Sequence, residues 1–122
     1  MVKRDQHSGF GKELRALLTS DKSEDLEIAG IIVDEIDALD EARANGRAHP
    51  KEDRLNGPKL SAVQYLRIYS NKQSIRIYFT VVKQTLFMLA LDKGKRQTAL
   101  TAGMEHRLLE RLTSVQQQHG GT

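Results

Sequence analysis

The sequence predicts an α+β domain, with an N-terminal helical hairpin packed on a small antiparallel β-sheet meander and closed by a C-terminal helix. Three observations predict it. Residues 9–46 carry two apolar stripes at helical spacing. Residues 63–91 hold three runs rich in Val, Ile, Tyr, Phe and Thr, divided by two-residue polar breaks. Residues 99–117 return to helical spacing. A chain of 122 residues is one domain with room for one modest core.

Each element has a local reason. Phe10, Leu14, Leu17 and Leu18 give a short helix from Gly9 to Thr19, broken by the polar run Ser20–Ser23. Asp21 with Glu24 three residues on resembles a capping box, and Ser23 is a competing cap. A second helix from Glu24 to Ala44 follows, with Ile28, Ile32, Ile36 and Leu39 as its stripe and Asp34, Asp37, Asp40 and Glu41 opposite. Asn45-Gly46 ends it, because both tolerate a left-handed backbone. Met1–Ser8 is charged and shows no clear strand, and Arg47–Lys59 reads as a polar connector.

The strands are Val63–Ser70, Gln73–Val82 and Thr85–Leu91, with hairpin turns at Asn71-Lys72 and Lys83-Gln84. In the middle strand Ile75, Ile77, Phe79 and Val81 point one way and Arg76, Tyr78, Thr80 and Val82 the other. In the first, Tyr65, Arg67 and Tyr69 share a face. The third is apolar on both faces, as in a covered strand. One sheet face is therefore expected against helices, and the other half open with Arg and Tyr side chains. The closing helix has Leu100, Met104, Leu108, Leu112 and Val115 as its stripe, and Gln116–Thr122 reads as a loose tail.

Composition narrows the function. There is no cysteine, hence no disulfide or thiol chemistry. No apolar run approaches the roughly 18–20 residues that span a bilayer, and the first residues carry no apolar signal region. A cytoplasmic protein without a membrane partner is expected. Charge is uneven, with a net of −4 over residues 1–58 and +7 over residues 59–122. Such asymmetry suggests that the sheet half meets a polyanion. A basic surface kept for solubility is the plainer alternative.

Two places concentrate the chemistry. Arg76 stands in the middle of a strand, where its charge must reach solvent, an anion or a structural carboxylate. Asp92-Lys93-Gly94-Lys95-Arg96 places three cations where strand turns to helix, as a phosphate site or a solvated loop. Metal-free RNA cleavage needs a base for the 2′-hydroxyl, cations for the phosphorane and an acid for the leaving oxygen. Arg67 and Arg76 could stabilise the phosphate. Lys93, Lys95 or Arg96 could bind backbone, or a lysine could act as base. Tyr78 could stack on a base or move a proton. The acidic face of the second helix is a solvated surface, and His49 has no nearby ligand set. No metal or cofactor is expected.

The ordered set of segments resembles the RelE/HigB-like toxins, in particular the phage-derived HigB-like branch. Pro58-Lys59-Leu60 matches the family's K-x-L approach, and Ala62-Val63-Gln64-Tyr65-Leu66-Arg67 its first strand motif. Ser74-Ile75-Arg76-Ile77-Tyr78-Phe79 matches the second, and Leu91–Thr98 the basic turn. Coverage runs from Phe10 to Val115. Four features depart: Tyr65 stands for the motif glutamate, Ala99 for the proline after the basic turn, no first strand is evident, and the terminal Tyr or His of some members has no clear counterpart, with His119 in the tail. The resemblance implies a RelE-like fold and ribosome-dependent cleavage of mRNA. It also implies the toxin half of a type II toxin–antitoxin pair, neutralised by a helix-turn-helix-type antitoxin. Arg67, Arg76, Tyr78 and Lys93 would then be catalytic, with Lys59, Lys93, Lys95 and Arg96 binding nucleic acid. Non-catalytic binding of an antitoxin or another protein target, and an unrelated small phage interaction protein, are the alternatives.

Overall fold

A computed structural model of the chain describes residues 3–55, 59–70, 73–94 and 100–120. The elements follow in the order β1 (Lys3–Gln6), α1 (Ser8–Leu18), α2 (Ser23–Ala44), β2 (Glu52–Arg54), β3 (Gln64–Ser70), β4 (Gln73–Val82), β5 (Thr85–Gly94) and α3 (Ala102–Val115). A terminal helical turn, Gln116–Gly120, closes them where a loose tail was expected. The architecture is α+β, as the periodicities predict. No helix among the described residues is long and apolar enough to cross a membrane.

The meander β3–β4–β5 is antiparallel and forms the centre of a five-stranded sheet of order β1-β5-β4-β3-β2. Two edge strands were not legible. β1 joins β5 in parallel, pairing Lys3 with Thr85 and Gln6 with Met88. β2 lies within the supposed connector and pairs with β3. Both are too short to display alternation, and β1 depends on a distant partner. The Lys83-Gln84 turn has φ of 48° and 67°, the double left-handed geometry that matches strand twist in a two-residue hairpin. The expected turn at Asn71-Lys72 lies outside the described residues.

Both faces of the sheet carry a core. On the first, α1 and α2 place Phe10, Ile28, Ile32, Ile36 and Leu39 against Leu66, Ile68, Ile75, Ile77, Phe79, Leu86, Met88 and Leu91. On the second, Met104, Leu108, Leu112 and Val115 of α3 cover Tyr78, Phe87, Leu89 and Ala90, with Leu60 and Val63 alongside. The half-open second face is thus corrected: α3 buries its β5 side. Leu89 and Ala90 lie consecutively on that face because the pairing slips by one residue between Tyr78 and Phe79, a bulge in β5.

Helix ends hold further corrections. Lys22, not Asp21 or Ser23, is the N-cap of α2, without a side-chain cap bond. Ser20 shapes the turn instead, accepting from Lys22 N at 3.1 Å and donating to Asp25 at 2.7 Å. At the other end Asn45 caps and Gly46 has φ of 69°. Thr101 starts α3 by accepting from Met104 N at 3.2 Å, three residues later than expected.

Candidate nucleic-acid interface

β3 and β4 bring the sequence-predicted arginines together. Arg67 and Arg76 are direct cross-strand partners, and Asp92 of β5 stands opposite Arg76 in the same row. One row along, Tyr65 pairs with Tyr78, ring centroids 5.8 Å apart. The Arg76 guanidinium lies over the Tyr65 ring at 5.9 Å. Asp53 of β2 pairs with Tyr65, whose hydroxyl is 3.5 Å from its carboxylate. The cluster therefore holds two cations, two phenols and two carboxylates on the second face, beside the part covered by α3.

Burial decides how these groups behave. Arg76 is 6 % exposed and Tyr78 is fully buried, so the expectation of an arginine reaching into an open groove is corrected. Arg67 is half-buried. Arg67 Nε and the Tyr78 hydroxyl are buried without a hydrogen-bond partner among the described residues. Two such orphans close together are unusual, since a buried donor without an acceptor costs about 1–3 kcal/mol. Burial pushes the Tyr78 phenol above its ordinary range, and the nearby Arg76 guanidinium opposes the shift without bonding geometry to the oxygen. Tyr78 therefore keeps its proton at neutral pH.

The remaining predicted residues lie elsewhere. Lys93 is opposite Ile75, on the first face, and its Nζ donates to Asp25 of α2 at 2.7 Å. That bond, with the one from Ser20, holds the Asp25 carboxyl below its usual range. The sheet thus separates Lys93 from Arg67, Arg76 and Tyr78. Lys59 is exposed in the turn before β3. Lys95 and Arg96 lie outside the described residues. His49 is buried and fully engaged: Nε2 meets Glu35 Oε2 at 2.8 Å and Nδ1 accepts from Lys51 N at 3.0 Å.

Sequence reasoning missed Asp53, Tyr65 and Asp92 as members of the cluster. Asp92 was legible through register, two residues beyond Ala90 on the same face. Asp53 was not, because a three-residue strand leaves no pattern. Among known proteins, no family model and no curated sequence matches the chain.

Proposed function

We propose that this chain is a metal-independent endoribonuclease of the RelE/HigB kind, the toxin of a type II toxin–antitoxin pair that cuts mRNA on the ribosome. The observation that carries the reading is the cross-strand pair Arg67 and Arg76, with two orphaned buried donors, Arg67 Nε and Tyr78 Oη, beside it. A phosphate would supply acceptors to these two donors. Arg67 and Arg76 would hold the phosphorane charge as the 2′-oxygen attacks phosphorus and the 5′-oxygen leaves. Asp53 or Asp92 would take the 2′-hydroxyl proton, and the leaving 5′-oxygen would take one from solvent, because Tyr78, though protonated, is fully buried. A helix-turn-helix-type antitoxin would neutralise it by covering this face. The cytoplasm is the compartment where such chemistry belongs.

The test is ribosome-dependent cleavage of an mRNA reporter, with growth arrest on induction as the cellular readout. Arg76→Ala should cut cleavage by about 10²–10³-fold, and Arg76→Lys should rescue little because a point charge cannot replace a planar fork. Arg76 is buried, so thermal stability is measured on the same proteins, and Arg67→Met serves as the companion if Arg76→Ala fails to fold. Wild-type cleavage by a folded variant at either position sinks the assignment. A second reading has its own support: full burial of Tyr78 under α3 suits a non-catalytic protein of the same fold that binds an antitoxin or another protein target. Growth arrest without RNA cuts would select it.

A further inference from the structure

At the foot of the sheet, α2 ends short of the β4–β5 turn on the first face and leaves a groove of about 750 Å³, within the size range of small-ligand sites. Its walls carry three cations, Arg43, Arg54 and Lys83, and no carboxylate. That is informative beside α2, eight of whose 22 residues are acidic. Gln64, Gln84 and Thr85 add polar groups, and Val81, 45 % exposed, adds an apolar one.

The groove is pre-organised. Arg43 lies over the Phe79 ring at 5.8 Å, and its Nη2 donates to Gln64 Oε1 at 2.8 Å and to Glu52. Lys83 sits in a tight left-handed turn. The helix carbonyls that would repel an anion are already engaged. Asn45 Nδ2 donates to Glu41 O at 3.0 Å, Gly46 N to Arg43 O at 3.0 Å and Arg47 N to Ala42 O at 2.8 Å. Arg54 and Lys83 form no ion pair among the described residues.

We infer that this groove is a second anion site, which takes a phosphate-bearing nucleotide unit. Arg54 and Lys83 meet the phosphate oxygens, Arg43, already paired with Glu52, fixes the wall behind them, and Val81 contacts the sugar or base. The site lies on the face opposite Arg67 and Arg76 and stands independently of the nuclease reading. The same chemistry arrives as a free nucleotide or as the backbone of an RNA strand.

The experiment titrates the full isotopically labelled chain with AMP and, separately, with a short single-stranded RNA. Wild type is compared with the double variant Arg54→Glu/Lys83→Glu, whose substitutions are at exposed positions. Ligand should perturb the amides of residues 61–64 and 81–85 in wild type and not in the variant. Where the strand is the ligand, RNA affinity should fall roughly tenfold or more in the variant, and the log–log salt slope should flatten by about 0.7, for the one single-strand phosphate the groove holds. Perturbation by AMP assigns the free nucleotide as ligand, and perturbation by RNA alone assigns the strand. Silence of these amides to both ligands, or perturbations that persist in the variant, overturns the proposal. Arg67→Met, on the other face, should leave these perturbations intact even where it abolishes cleavage, so the two readings fail separately.

Discussion

Arg67 and Arg76 face each other with like charge, an arrangement that costs stability where strands pair. Asp92, opposite Arg76 in the same row, offsets part of that cost. Arg67→Met should leave stability unchanged or raise it by up to about 1 kcal/mol, while RNA binding falls. Urea unfolding and RNA titration on one protein check both halves, and a clear loss of stability would mark Arg67 as a structural anchor instead. His7 is the other residue with a measurable signature. It caps α1, its Nδ1 accepting from Gly9 N at 2.9 Å, and this needs an unprotonated ring. Burial, then the Arg111 charge, lowers its pKa below the ordinary 6.5, against the opposing pull of Glu13 and Glu110. The unfolded chain therefore takes up the proton first as pH falls. Stability from this residue is complete above about pH 6.5 and declines below it, until the folded ring also protonates. Denaturant midpoints between pH 5 and 8 should show the decline in wild type and a flatter profile in His7→Asn, which caps without titrating.

Among the elements, β5 shows how side chains complete a sheet. β1 pairs only as far as Met88, where His7 N donates to Met88 O at 2.8 Å. Beyond it, Glu13 Oε1 accepts from Leu91 N at 3.0 Å, and Arg111 Nη1 donates to Leu89 O at 2.8 Å. Glu13 and Arg111 also join each other through both carboxylate oxygens, at 2.9 and 3.0 Å. One ion pair between α1 and α3 thus satisfies the bulged stretch and clips the two faces together. Arg111→Ala should destabilise by about 1–3 kcal/mol, since it leaves the Leu89 carbonyl without its donor and Glu13 with Arg107 as its remaining cation. Gly9→Ala should reproduce part of that loss, because a Cβ there would lie 2.5 Å from the Arg111 guanidinium. Thermal melts of the two variants and their combination check this, and additive losses would show that Gly9 acts elsewhere. None of this was legible in the sequence. Helix and strand periodicity report which face is apolar, not which polar residue reaches across to a strand edge.

For the molecule as a whole, what could be read was what repeats. The apolar stripes of α1, α2 and α3 and the alternation of β3 and β4 fixed the helices, the meander and the shared face of Arg67, Arg76 and Tyr78. What escaped depends on distant partners: β1 on β5, β2 on β3, α3 on the second sheet face, and Lys93 on Asp25. The parallel pairing of β1 with β5 carries a further consequence. Its partners stand about eighty residues apart in the chain, so closing that contact has a high entropic cost. During synthesis β1 leaves the ribosome early and must wait for β5, with the edge of the sheet incomplete until then. α1 and its His7 cap likewise lack their docking surface until Met88 and Arg111 have emerged. The final registration of the N-terminal hairpin thus follows the emergence of β5 and α3.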